Sequence, residues 1–478
     1  MTTKHLSWPI HGDKPENILK KLEEKKKSDI DWEGGKVFSL VFKTDKELGD
    51  LSKAAYNMYF SENALNPSAF PSLKEMEKDV VTMMTELLGG NENSSGSFTS
   101  GGTESILMAV KTAREWAKTN HPEITEPEMI IPLTAHPAFN KAAHYFGIKL
   151  ITIDTDQSYR ADLTQLSDKI SSRTILIVGS APSYPQGVID PIESMAKIAK
   201  EKNILFHVDA CIGGVLLPFL KLDGVVSENF DFSVPGVTSI SADLHKYGYT
   251  PKGSSVVLYK DKSLKRFQFF TTTNWPGGMY GSPTVTGTRP GGAIAGSWAV
   301  MQYLGFEGYQ NLARKIFKVT QSYADKIDQF EGISYAMRPE SSIICLTSQK
   351  FNIYQIGDEM QKRGWHLDRQ QNPSSLHMTV MKAHEFVQDE FFEDLKLSLE
   401  VVKSFDKKMQ GLKTSMTRGM IKAMPSGMVS SLIKGKGKKM GESNQDEPNT
   451  AAMYGMMGAI KKQSDLDSLI LDVMEQLF

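Results

Sequence analysis

The stretch that decides the fold runs from 174 to 210 and reads TILIVGSAPSYPQGVIDPIESMAKIAKEKNILFHVDA. It opens with the apolar, β-branched run TILIVGS (174–180) and closes on a second such run, ILFHVDA (204–210). A helical pattern at 191–202 lies between them. Nearly continuous apolar strands alternating with helices predict a sheet buried on both faces and mostly parallel. Working outward, the same texture recurs in MIIPL (129–133), IKLITI (148–153) and SSVVLY (254–259), with helices predicted over 103–118 and 137–147. The predicted class is α/β, and functional groups in such folds gather at the carboxyl ends of the strands.

Towards the N-terminus, Leu73, Met76, Val80, Met83, Met84, Leu87 and Leu88 recur at helical spacing, and Gly89-Gly90 supplies a stop. Residues 1–30 are polar and lysine-rich, which reads as a solvated arm or a helix docking on a partner subunit. Beyond about 300 the pattern shifts to longer helices plus SSIICLTS (341–348), a smaller α+β domain. The expected division is an arm and dimer-contacting segment over 1–60, a large domain over 61–305 and a small C-terminal domain over 306–478.

Within the last part, 407–440 holds nine basic residues and no acidic one, with methionines at 416, 420, 424 and 428. A polar run, GESNQDEPNT (441–450), follows it. The stretch reads as an insertion covering the small domain. A basic amphipathic helix on an anionic membrane is the alternative, and Pro425 and several glycines weaken it.

The chain has 478 residues, 40% apolar and 23% charged, the composition of a globular protein. Lys and Arg number 55 against 56 Asp and Glu, a formal net charge of −1, which excludes a globally basic nucleic-acid binder. Only Cys211 and Cys345 occur, so neither a disulfide framework nor a cysteine zinc site is possible, and a reducing compartment is expected. The opening MTTKHLSWPIHGDKPENILKKLEEKKK has no signal-peptide apolar core, and no run of ~18 apolar residues occurs. A soluble, cytoplasmic protein is expected, with export by a signal-independent route left open.

The phosphate loop G-x-x-x-x-G-K-[ST], G-x-G-x-x-G after a strand, H-E-x-x-H and G-x-S-x-G are all absent. Three positive signals remain. SFTSGGTES (97–105) sits between a short strand and a helix, where glycines and free N–H groups suit a phosphate, though a plain N-cap reads the same way. Asp209 ends the apolar strand in HVDA (207–210), as a cofactor partner or a structural cap. SISADLHKYGYTPKGSSVVLY (239–259) carries His245-Lys246 just before a strand. A lysine partly desolvated beside cationic neighbours has a lowered pKa and can form a Schiff base. Together they fit pyridoxal 5′-phosphate, which needs a phosphate cradle, a carboxylate for its pyridinium nitrogen and a lysine for its aldehyde. His136, after the strand MIIPL, could stack on the flat ring.

The chain resembles the fold-type I pyridoxal-phosphate enzymes of the group II decarboxylase family, and within them the sphingosine-1-phosphate lyase branch. The resemblance rests on TSGGTESILMA (99–109), AHPAFNKAAHYFGIK (135–149), GSAPSYPQGVIDPI (179–192), HVDACIGG (207–214), DFSVPGVTSISADLHKYGYTPKGSSVVLY (231–259), GSPTVTGTRPGG (281–292) and AAMYGMMGAI (451–460). It implies Lys246 as the Schiff-base lysine, Asp209 on the pyridinium nitrogen, His136 stacked on the ring, and Gly102, Thr103 and His245 on the cofactor phosphate. It further implies a homodimer with shared sites, in which Thr288 reaches the other subunit's cofactor. Lys252 matches a lysine for the substrate phosphate, and Tyr249 is expected near the substrate.

Two positions depart from the pattern. Asn66, in LNPSAFP (65–71), stands where the lyases carry a phosphate-contacting histidine, and Phe42 stands where a tyrosine is expected. Each loss removes a hydrogen bond to a charged group, worth roughly 1.5–3 kcal/mol. The implied activity is retro-aldol cleavage of the C2–C3 bond of a phosphorylated sphingoid base, giving a long-chain aldehyde and phosphoethanolamine. The alternatives are an amino-acid decarboxylase on the same fold and a cofactor-binding paralogue with little activity.

Overall fold

The computed structural model describes residues 8–411 except 10 and 44, together with 471, 474 and 475. The basic, Met-rich stretch from 412 onward and the motif at 451–460 lie outside the described residues.

The large sheet has seven strands: β1 (Ser95–Thr99), β2 (Glu128–Pro132), β3 (Lys149–Ile153), β4 (Thr174–Ser180), β5 (Leu205–Asp209), β6 (Ser239–Ala242) and β7 (Ser255–Tyr259). Their order is β1-β7-β6-β5-β4-β2-β3. The β2–β3, β2–β4, β4–β5 and β5–β6 pairs are parallel, and only β7 runs against its neighbours. The mostly parallel sheet expected from the sequence is therefore present. Its predicted helices appear as Gly102–Asn120, Ala138–Phe146 and Ile192–Glu201. β6 had no apolar run to announce it; it reads SISA, with small residues that pack against His207 and Asp209 of β5.

Successive side chains point to opposite faces. Met129, Ile131, Leu176, Val178, Val257 and Tyr259 join one core, under the helices Gly102–Asn120 and Ala138–Phe146. Ile130, Ile177, Phe206, Val256 and Leu258 join the other. The helix Ile192–Glu201 buries Ile192, Met195, Ala196 and Ala199 on that second face, the spacing of one helical stripe.

A ribbon, β8 (Phe270–Thr272) with β9 (Tyr280–Ser282), leads to the long helix Gly291–Ile327, which is interrupted at Gly305 (φ 56°, ψ −176°). A second, antiparallel sheet follows, β10 (Ser334–Tyr335), β11 (Ile343–Thr347), β12 (Asp368–Gln370) and β13 (Ser375–Thr379), in the order β10-β11-β13-β12. It has its own core around Trp365, Phe391 and Tyr323.

The N-terminal segment does more than form an arm. The Thr379 N–H donates to the Phe38 carbonyl (2.7 Å), and Phe38 N–H to the His366 carbonyl (3.1 Å), so residues 37–38 lie along the small sheet. His384 stacks on Phe38 at 3.8 Å and clamps it there. The helix Pro15–Lys26 before it buries nothing and leaves Ile18, Leu19 and Leu22 exposed.

Candidate active site

β2, β4, β5 and β6 run in one direction, and β1, antiparallel to β7, shares it. Their carboxyl ends therefore meet at one edge, and each delivers a candidate residue there. After β1 comes the Gly101-Gly102 turn, after β2 His136, after β4 Tyr184, at the end of β5 Asp209, and after β6 the run Asp243-Leu244-His245-Lys246. A cavity of about 320 Å³ opens at this edge, lined by His136, Asp209, Lys246 and Lys252 from the strands and turns of the large sheet. Ser39, Leu40 and Phe42 of the N-terminal segment and Asp368 and Thr379 of the small sheet close it.

Asp209 is held from behind. Its Oδ1 accepts the Cys211 N–H (3.0 Å) and the Ser241 hydroxyl (3.2 Å). His207 Nε2 meets Ser241 Oγ at 3.1 Å and Nδ1 meets Ser239 Oγ at 2.9 Å. Burial holds the His207 imidazole neutral, pushed down to about 4. Since Ser241 donates to Asp209, it accepts from His207, and a chain of donors runs through the sheet to the carboxylate.

His136 accepts the Ala138 N–H on Nδ1 (3.1 Å), which fixes the ring and leaves the proton on Nε2. Burial pulls its pKa below the ordinary value.

Lys246 Nζ lies 3.1 Å from Asp243 Oδ2, and His245 Nε2 lies 3.6 Å from the same oxygen. The lowered lysine pKa expected from the sequence is corrected by this contact. Burial lowers the pKa of Lys246, but the Asp243 and Asp209 carboxylates outweigh it and the net shift is upward. The expectation counted the cationic neighbours and missed the carboxylate three residues back.

Gly102 begins its helix against this group. A Cβ there would stand 2.8 Å from both Asp243 oxygens and 2.9 Å from Cys211 Sγ. Thr103 follows at the exposed start of the helix. Lys252 Nζ donates to the Leu40 carbonyl (2.6 Å) and lies 5.7 Å over the Phe42 ring. Phe42 in turn packs edge-on to Tyr247 at 4.9 Å.

Six candidates are not among the residues that line this cavity: Gly102 and His245 stand beside it against Asp243, with Thr103 next to Gly102, and three others lie further off. Asn66 is exposed and starts a surface turn, its Oδ1 accepting Ser68 N–H (2.9 Å). Thr288 is exposed on the loop after β9. Tyr249 is buried at a left-handed backbone position (φ 57°), edge-on to Tyr247, away from the cavity lining.

Sequence reasoning missed Tyr184 and Asp368. Tyr184 Oη donates to Asp368 Oδ2 (2.9 Å), and its ring stacks on His377 at 4.0 Å. His366 Nε2 meets Asp368 Oδ1 at 3.2 Å. Although burial opposes it, bonding from His366 and Tyr184 brings Asp368 down to about 2. The signal for Tyr184 was its place in the loop after β4, at the same strand edge. Asp368 comes from a different sheet and had none.

The residues fit pyridoxal 5′-phosphate: a lysine, a strand-end carboxylate with its outer bonds made, a fixed imidazole beside them, and a helix N-terminus where a side chain would not fit. The model of the pyridoxal-dependent decarboxylase conserved domain matches residues 1–348. A sphingosine-1-phosphate lyase of Oryza sativa is 40% identical over 87% of this chain and 78% of its own length. That of Saccharomyces cerevisiae is 34% identical over 98% and 75%. The solved Burkholderia pseudomallei sphingosine-1-phosphate lyase superposes with a TM-score of 0.80 at 36% identity, covering 86% of this chain and 97% of that one. A Lactobacillus brevis glutamate decarboxylase, 19% identical with a TM-score of 0.73, shares the fold. The chain belongs to the pyridoxal-dependent decarboxylase family, in its sphingosine-1-phosphate lyase branch, and its cofactor is pyridoxal 5′-phosphate.

Proposed function

We propose that the protein cleaves the C2–C3 bond of sphingosine 1-phosphate by a retro-aldol reaction, releasing a long-chain aldehyde and phosphoethanolamine. The observation that carries this is Lys252: a second lysine lines the cavity that holds Lys246, Asp209 and His136, a cation placed for a substrate phosphate. The names of the relatives agree with it.

The cofactor, when bound, supplies the electron sink for the breaking bond. The protein supplies the rest. Lys246 would hold the cofactor aldehyde, Asp209 would keep the proton on the ring nitrogen, and His136 would support the ring. Gly102, Thr103 and His245 would hold its phosphate. Lys252 binds the substrate phosphate, exchanging the Leu40 carbonyl for it, with Phe42 beside it. Tyr184, the phenol on the cavity wall, takes the proton of the C3 hydroxyl as it passes its own to Asp368, the acceptor of its hydroxyl.

The active unit is a homodimer. In support, Thr288 and Asn66 stand outside their own subunit's cavity, and Trp275, Met279 and Val285 expose large apolar surface near Thr288. The chain divides near Gly305, where the long helix is interrupted, and works in a reducing compartment, the cytoplasm, consistent with two free buried cysteines. Among the described residues no helix is long and apolar enough to cross a membrane.

The test is to add sphingosine 1-phosphate to the purified protein while recording visible absorbance and assaying aldehyde. A cofactor band that changes on addition, with aldehyde formed, is the expected result. An unchanged band and no aldehyde, with turnover of an amino acid from a panel, would replace this substrate with an amino-acid one.

A further inference from the structure

Three of the cofactor residues converge on a fourth that has no assigned part. Asp243 is buried, 4% exposed, in the turn after β6. Its Oδ2 lies 3.1 Å from Lys246 Nζ and 3.6 Å from His245 Nε2, and Gly102 leaves it just enough room. The Ser254 N–H donates to His245 Nδ1 (3.2 Å), so the neutral ring carries its proton on Nε2, towards Asp243. A buried carboxylate is costly without a cation, and Lys246 is the cation present.

We propose that Asp243 is a positioning residue that keeps Lys246, whenever it is not joined to the cofactor, as an ammonium ion that donates a proton rather than an amine that accepts one. The surroundings agree. The groups facing the pair are Asp209 and Cys211 from the β5 end, His136 from the turn after β2, His245 from the same turn, Lys252, and His377 of β13. Burial keeps the Cys211 thiol neutral and holds all three histidines below their ordinary values. Two carboxylates thus act on Lys246 against one more distant ammonium, that of Lys252. Aldol cleavage needs one group to take the hydroxyl proton and another to give a proton to C2. The C2–C3 bond breaks, its electron pair ends in the new C2–H bond, and the proton of that bond comes from Lys246, which is left as the amine. The hydroxyl proton leaves by Tyr184, which passes its own to Asp368.

The inference rests on Lys246 being the lysine that joins the cofactor, and its test needs no substrate. Apoprotein is mixed with pyridoxal 5′-phosphate, and the rate of imine formation is followed by visible absorbance across pH. Imine formation requires the amine, so the midpoint of the rate profile reports Lys246. Asp243→Asn is expected to move that midpoint down by at least about one pH unit, a tenfold faster rate below it. Asp243→Glu keeps the charge and the wild-type midpoint. Equal midpoints in wild type and Asp243→Asn would overturn the inference and leave the cofactor assignment standing. An imine formed in Lys246→Ala would overturn the assignment itself. Should Asp243→Asn not fold, wild type alone decides. Its rate is expected to be still climbing at the ordinary lysine value of about 10.4, and a plateau reached well below that value overturns the proposal.

Discussion

Asp209 and Lys252 show how differently two charged side chains are held. Asp209 is 7% exposed and takes two protein donors on one oxygen. Its charge is organised before any ligand arrives. Removing a buried charge from its partner costs about 3–5 kcal/mol, so Asp209→Ala should lower kcat by about 10²–10⁴-fold, with cofactor still measurable by absorbance. Near-normal kcat would remove Asp209 from the ring nitrogen. Lys252 is exposed and held by one backbone carbonyl. Its truncation should act on binding: Lys252→Ala raises KM for the phosphorylated base by about 10–100-fold, one charge-assisted hydrogen bond. The unphosphorylated base, tested as a competing ligand, should bind both proteins alike. Equal loss for both would show that Lys252 acts on the fold of the cavity instead. Phe42→Tyr returns a hydroxyl next to Lys252 and should lower KM.

At the scale of the element, the decisive feature is a helix that begins where no side chain fits. Gly→Ala at a permissive helix position stabilises by about 0.4–1 kcal/mol. At Gly102 the added methyl would meet the Asp243 carboxylate and Cys211 Sγ, at 2.8 and 2.9 Å. Overpacking of this kind costs about 1–3 kcal/mol. Gly102→Ala should therefore lower the melting temperature and raise the Kd for pyridoxal 5′-phosphate by tenfold or more, about 1.4 kcal/mol. Equilibrium dialysis and a melting curve would check both. An unchanged Kd would place the phosphate elsewhere. The need for a glycine was legible in SFTSGGTES, as were Asp209 at its strand end and the strands on either side. These are local signals: apolar runs, a turn, a residue at a fixed offset. Asp243, Tyr184 and Asp368 were not legible. Each acts through a contact made by topology, Asp243 by the turn after a strand too small and polar to read, Asp368 by a sheet over a hundred residues from β4. Tyr249 illustrates the converse. It stands close to Lys246 in the sequence, yet its left-handed backbone turns it into the core.

For the molecule as a whole, the two sheets and the N-terminal segment are joined by buried neutral histidines. His207 lies within the large sheet, His377 of the small sheet stacks on Tyr184 from the turn after β4, and His384 clamps Phe38 to the small sheet. The Met381 N–H donates to His384 Nδ1 (2.9 Å), and Nε2 meets the Val37 carbonyl at 3.1 Å, so a second proton on the ring breaks the first bond. Burial lowers all three from an ordinary 6.5 to about 4. A depressed folded pKa gives stability that is complete above 6.5 and is lost as pH falls towards 4, roughly 3 kcal/mol for each such group. Asp190, buried and raised to about 6, acts in the opposite sense between 3.8 and 6, and offsets part of the loss. Three groups against one leave a net fall in stability on acidification from pH 6.5 to 4. Denaturant midpoints measured across that window should drop steeply. His384→Gln cannot take up the proton; it should be less stable than wild type at pH 7, because the Phe38 stack is gone, but its midpoint should fall less with acid. A profile parallel to wild type would mean that the acid sensitivity resides in the other two histidines and that the N-terminal segment stays clamped to the small sheet at low pH.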